Sequence, residues 1–316
     1  MKLFSDKKRA VHLGPFRQEH LIRTQKTPAF STSPIFKQLL FKNTQYPENI
    51  INAMSESQAM LDAIRDGAIN SAKADVPDDL TERQNHLKAF AYFSDVSMAA
   101  TCGFDDRFLL EKPFINKDIE RLSEQLLTTQ TQSLASGVDL IMADLQDAMR
   151  AKPKPMSSHS HALVVIVEQP REIWSNEPGG DWLAGAAEAR SAMRAMEVAS
   201  VTAQYIRLLG FDARAHGHST SDVDLYKLAI NAGLATVESG ELVNPYLGSR
   251  FSLAVITTDF EFSHDAPLAP LDEQPQSLRS KIFAVINKPV NNPGRKGDPF
   301  SKRRFVDGPH PFETLK

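Results

Sequence analysis

The chain has 316 residues, 36 Lys and Arg against 39 Asp and Glu for a formal charge of −3, 41% hydrophobic residues and one cysteine. That length can bury a substantial core in one large domain or two small ones, and the balanced charge gives no overall basic footprint for nucleic acid. One thiolate closes no intrachain disulfide and falls short of the roughly four cysteines that hold an iron-sulfur cluster, so no cluster is expected on this chain. No apolar run approaches the roughly 18–20 residues of a spanning helix, and MKLFSDKKRAVHL lacks a secretory signal's apolar stretch. The expectation is a cytoplasmic protein with no membrane segment.

From residue 1 to about 45 the chain carries scattered aromatics, among them Phe16, Phe30, Phe36 and Phe41, without a sustained period. This reads as an extended arm that wraps a body. Ile50, Ile51, Met54, Met60, Leu61 and Ile64 recur at helical spacing up to Gly67. Asp78 and Asp79 supply N-cap chemistry ahead of LTERQNHLKAFAYF, and Val96 to Cys102 then reads as a short strand closed by Gly103. Between Asp118 and about Arg150 the apolar spacing fits two helices or one helix kinked near Ser136-Gly137.

A Pro/Ser connector leads to HALVVIVEQ, apolar on both parities and hence a central strand buried on both faces. Ala184 to Leu209 is a long Ala- and Met-rich helix stopped by Gly210, followed by a strand from Phe211 to His216. Asp222 is placed to cap a helix through Ile230, and Phe251 to Thr258 is the last clear strand. Residues 46–265 make the body. The Pro-rich segment 266–316, with Arg295, Lys296, Lys302, Arg303 and Arg304, reads as a tail or linker. GPFRQEHL at Gly14–Leu21 and GPHPFETL at Gly308–Leu315 share G-P-x-x-x-E-x-L, as if a second copy began at the end of this one.

The usual phosphate cradles, G-x-G-x-x-G and G-x-x-x-x-G-K-[ST], are absent, as are G-x-S-x-G and H-E-x-x-H. Two H-x-H pairs, His159/His161 and His216/His218, have the strand spacing that places two imidazoles on one face for a metal. Their Ser- and Gly-rich surroundings favour exposed loop histidines, and no metal site is expected. Trp174 and Trp182 flank EPGGD, as a lid or an interface would have them.

The most informative block runs from Tyr205 to Asp259: YIRLLGFDARAHGHS, then Ala232-Gly233-Leu234, then Pro245-Tyr246-Leu247-Gly248-Ser249-Arg250, then a strand reaching Thr257-Thr258-Asp259. It resembles the cobalamin-binding module of reductive dehalogenases and, more distantly, epoxyqueuosine reductase, with LKAFAYFSDVSMAATC similar to their helix-to-strand segment upstream. The resemblance implies an α+β fold of the nitroreductase-like type, a layered mixed sheet covered by helices, with the N-terminal arm and C-terminal tail added. It implies cobalamin as cofactor, with Gly233, Leu234, Gly240 and Gly248 as the backbone that approaches it. Two departures oppose this. Glu238 and Glu241 stand where the family keeps a Gly-rich continuation, and the cysteine-rich segment that feeds electrons to cobalt is missing.

Such a dehalogenase needs a proton donor, a tyrosine tuned by a neighbouring cation. Tyr246 with Arg250 is the first candidate pair, and Tyr226 with Lys227 the second. The chain is most similar to the cluster-free N-terminal module of the self-sufficient, catabolic type. Two functions follow as expectations. One is an oxidoreductase module removing halide from an organohalide together with a cluster-bearing partner or a tandem second module. The other is a degenerate structural or interaction module that has lost its cofactor. A flavin nitroreductase relative would need a basic phosphate site that the sequence does not offer.

Overall fold

The computed structural model describes residues 9–28, 30–129, 155–174 and 176–275. The end of the segment after Asp118 and the C-terminal GPHPFETL with its basic stretch lie outside the described residues.

Four strands make the central sheet: β1 (Met98–Gly103), β3 (His161–Glu168), β4 (Ala213–His216) and β8 (Phe251–Thr258), in the order β1-β3-β8-β4. HALVVIVE is central, as its two-parity apolar pattern requires. Among the described residues every pairing is antiparallel, with His161 opposite Thr258 and Met98 opposite Ile166. The expected mixed sheet is therefore corrected: burial on both faces needs covering layers on both sides, which either strand direction satisfies. A short β2 (Leu109–Phe114) pairs with β5 (Ser221–Val223), and β6 (Thr236–Glu238) with β7 (Glu241–Val243).

Side-chain parity splits the core in two. Met98, Ala100, Cys102, Ala162, Val164, Ile166, Leu253 and Val255 face one way, against α6 (Leu225–Asn231) and Phe36 of the arm. Ala99, Leu163, Val165, Ala254 and Ile256 face the other way, against α2 (Leu80–Phe93) and the long α5 (Ala186–Leu208). Each Val, Leu or Ile so enclosed is worth about 1.5–3 kcal/mol. Ala195, Ala199 and Ala203 are fully enclosed where α5 crosses the sheet, which explains the helix's alanine content.

Caps fix the helix starts. The side chains of Asn49, Asp79 and Asp224 accept from backbone N–H groups at the heads of α1 (Ile50–Ala63), α2 and α6. The cap of α6 is thus Asp224 and not Asp222, because the Asp222 carboxylate is taken by Arg65 at 2.6 Å and Arg214 at 3.3 Å. Gly210 ends α5 at φ +88°, against the backbone of Ala72. Helices α3 (Asp118–Thr129) and α4 (Gly180–Leu183) are the others among the described residues.

Both sheet edges are covered. The backbone N–H of Asp265 donates to Thr101 on β1 (2.9 Å), and its carboxylate accepts from the Thr101 N–H (2.8 Å) and from Lys88 (2.7 Å). At the other edge the Ala215 N–H donates to the Arg65 carbonyl (3.0 Å). The arm lies along this closure: Gln274 bonds both backbone groups of Ile22, and Thr24 N–H donates to the Pro267 carbonyl. Residues 266–275, assigned by sequence to the tail, are therefore packed against the arm.

In the last turn of α1, Asp62 is 1% exposed and accepts from Ser219 (2.6 Å), Asn116 (2.8 Å) and Gln58 (2.8 Å). Burial pushes its carboxyl up to about 6 against these hydrogen bonds and Arg65. The folded chain thus holds this proton more tightly than the unfolded chain. The stability gained from it is full below about pH 4 and is lost as pH rises to about 6, a span of about 3 kcal/mol. Buried histidines, among them His218 held down at about 4, act in the opposite sense as pH falls. The expected result appears in the difference between the parent and Asp62→Asn: urea denaturation from pH 4 to pH 7 should show the parent losing stability relative to the variant as pH rises. Parallel curves would contradict it.

Candidate functional site

A cleft of about 320 Å³ opens where the head of α6, the β6–β7 hairpin and the first residues of β8 meet. Three local rules build it. The Asp224 cap starts α6 and sets Tyr226 in its first turn. Ser239 and Gly240, at φ +51° and +83°, form the tight hairpin turn that brings Gly240 and Glu241 to the mouth, and nothing lies within 4 Å of where a Gly240 Cβ would be. Strand alternation turns Phe251 and Leu253 into the floor beside Leu242. Glu188, from the first turn of α5, stands on the rim.

The electrostatics of this cleft are negative. Burial raises the Tyr226 phenol, and the nearby carboxylates Glu188 and Asp224 raise it further. Partial burial, then Glu172, raises Glu188. Burial holds His218 down at about 4, so its ring in the cleft wall is neutral. Its Nε2 accepts from the Leu253 N–H (3.2 Å), and its Nδ1 has no partner.

Of the eight residues named from sequence, Tyr226 and Gly240 line this cleft. Lys227 turns away to Asp224 at 3.5 Å, so it gives Tyr226 no acidifying charge. Tyr246 packs on Phe16 at 5.2 Å and donates to the Arg17 carbonyl (2.6 Å), while Arg250 donates to the Pro170 carbonyl (2.6 Å). Burial, then Glu19, raises the Tyr246 phenol. Both tyrosines are thus weaker acids than a free phenol, the reverse of the expected tuning.

The glycines do not share a surface. A Cβ on Gly233, at φ +68°, would collide with the Ala266 carbonyl and the Arg23 guanidinium, so the chain itself fills that position. Leu234 is fully enclosed in the core, and Gly248 closes a tight turn with Asn244 through paired backbone bonds. Pro34, Gln169, Glu188 and Ser249 also line the cleft and were missed by sequence, because single residues far apart in the chain leave no local pattern.

The histidines correct their expectation. His159, His216 and His218 are 6%, 0% and 7% exposed, not loop residues in water. Thr257 Oγ1 lies between His159 Nδ1 (2.8 Å) and His216 Nε2 (2.9 Å), and His159 Nε2 faces Asp212 at 3.4 Å. Each imidazole thus links core elements. Among the described residues no group of three or more His, Cys, Asp or Glu could hold a metal ion. Trp182 is 62% exposed beside α5. Burial pushes the Cys102 thiol up to about 12, which leaves it unreactive.

No protein-family model and no curated protein matches the chain. Solved structures do. The catabolic reductive dehalogenase NpRdhA, N-terminally tagged, is similar at 31% identity and a TM-score of 0.63, over 85% of this chain and 32% of that one. The complex of that enzyme with 3-bromo-4-hydroxybenzoic acid gives 30% and 0.62, over 89% and 34%. A reductive dehalogenase structure described as suggesting a mechanism for B12-dependent dehalogenation gives 31% and 0.63, over 85% and 32%. Epoxyqueuosine reductase from Bacillus subtilis stands far off, at 12% and 0.36, over 62% and 50%. The chain spans about a third of the length of the solved dehalogenases it matches.

Among the described residues, neither the cleft nor the position beside Gly233 fits a cobalamin. The cleft lies at the low end of the roughly 300–1,000 Å³ that serves drug-sized ligands, and a corrin with its nucleotide loop is larger than these. Of the glycines expected to approach a macrocycle, Gly233 is covered by Arg23 and Ala266, while Gly240 is open. Gly233→Ala should therefore free the arm: we expect a loss of about 1–3 kcal/mol in urea denaturation and faster trypsin cleavage after Arg23. Unchanged stability with unchanged cleavage would show that this contact does not hold the closure.

Proposed function

We propose that this chain, a reductive dehalogenase-like module, is a structural copy that holds no corrinoid itself and supports the cobalamin-bearing part of a larger dehalogenase. The observation that carries this reading is the filled position at Gly233. The small cleft, the two tyrosines that burial and nearby carboxylates leave weaker acids than a free phenol, and the single cysteine agree with it. Its partner would be a tandem second module or a cluster-bearing chain, and removal of halide from an organohalide would belong to that assembly. The antiparallel sheet between helical layers suits a nitroreductase-like arrangement that has kept its frame. No helix among the described residues is long and apolar enough to cross a membrane, which is compatible with a cytoplasmic assembly.

A second reading, a module that binds cobalamin and takes part in dehalogenation, is favoured by the 31% identity to a dehalogenase whose structure is described as B12-dependent. One experiment separates the two. The purified chain is mixed with hydroxocobalamin, desalted, and its visible spectrum recorded before and after reduction with titanium(III) citrate. Under the first reading the protein emerges colourless and folded by circular dichroism. Stoichiometric corrin absorbance would overturn it, and loss of dehalogenation in Tyr246→Phe with an added electron donor would then test the pair Tyr246 and Arg250.

A further inference from the structure

We propose that the cleft between Tyr226 and the β6–β7 hairpin is a binding site for a small uncharged carbonyl compound, a ketone or amide on an aromatic or short apolar body, whose oxygen accepts from the His218 ring. This holds whether or not the module carries a corrinoid.

The hydrogen bonding of His218 sets the chemistry. The ring stands in the cleft wall and is 7% exposed. Its Nε2 accepts from the Leu253 N–H (3.2 Å), so the proton of the neutral ring sits on Nδ1. That Nδ1 is buried without a hydrogen-bond partner, a donor that an incoming acceptor satisfies. Burial keeps the ring neutral, which suits an uncharged partner. On the same wall stands the Tyr226 ring, 6.3 Å from His218 between centroids. Burial, then Glu188 and Asp224, raise its phenol, so its hydroxyl also keeps a proton to give. Two donors on one wall match the two lone pairs of a carbonyl oxygen.

The other lining residues select the rest of the molecule. Leu242, Phe251, Leu253 and Pro34 are apolar, and about 320 Å³ accommodates a single ring with a short substituent. Glu188 and Glu241 are the charged residues of the lining, with no lysine or arginine beside them. A carboxylate therefore meets two like charges, and an ammonium meets a donor at the buried end. An uncharged acceptor meets neither obstacle.

The test is nuclear magnetic resonance titration of the full chain, labelled with nitrogen-15 at histidine, following the ring nitrogens of His218. Acetophenone and benzamide are the carbonyl probes. α-Methylstyrene has the shape of acetophenone without its oxygen, and benzoate is the anion. We expect His218 Nδ1 to be the protonated nitrogen in the free chain and to shift saturably with both carbonyl probes. α-Methylstyrene should bind about tenfold more weakly than acetophenone, the effect of one hydrogen bond to a buried donor, and benzoate should leave the signal in place. Tyr226→Phe should weaken acetophenone by about two- to fivefold. Ser249→Trp, a substitution at the exposed rim that leaves His218 untouched, should fill the mouth and abolish the shift. A free ring protonated on Nε2, an Nδ1 signal unmoved by the carbonyl probes, equal affinity for α-methylstyrene, equal response to benzoate, or an undiminished shift in folded Ser249→Trp would each overturn the proposal.

Discussion

Two adjacent strands, β3 and β8, are buried on both faces over nearly their whole length, and the rest of the molecule is arranged to keep them dry. A sheet of this kind needs two covering layers and two closed edges. Helices α2 and α5 provide one layer; α6 and the aromatics of the arm provide the other. Asp265 closes the β1 edge and the Arg65 carbonyl the β4 edge. The arm is part of the fold's covering through the aromatics it lays on the α6 face, and the segment up to residue 275 holds the arm in place through Gln274.

Much of this frame was legible in the sequence. HALVVIVE announced a doubly buried strand, Gly210 stopped α5, and Phe251–Thr258 was read to the residue, since period and capping act within a few neighbours. What the sequence could not show depended on distant partners. Asp222 looked like a cap until Arg65 and Arg214 claimed it. The H-x-H pairs looked exposed because local Ser and Gly content says nothing about the strand that lies across them. The cleft was half visible: Tyr226 and Gly240 sit within the block that resembles the dehalogenase module, whereas Glu188 reaches it from a helix nearly forty positions earlier.

In the block from Tyr205 to Asp259 the glycines serve the chain's own turns and packing. Gly233 still needs its left-handed backbone, yet the space beside it is occupied by the chain's own arm. Gly248 serves a turn and Gly240 a hairpin. Fold and ligand site are separable in this way because a glycine can be required for its φ angle alone, whatever does or does not approach it.

The Thr257 hydroxyl has one proton to give and touches two imidazoles. The Asp222 N–H donates to His216 Nδ1 (3.3 Å), so the proton of that ring sits on Nε2 and points at Thr257. Thr257 must then pass its own proton toward His159 Nδ1, in preference to the weakly accepting Met156 sulfur at 3.6 Å. The proton of His159 is left on Nε2, facing Asp212. The row from Asp222 to Asp212 thus has a single direction, and reversing any one ring would require all three groups to turn together. Beneath a sheet held by symmetric antiparallel pairing runs a wire with a fixed polarity.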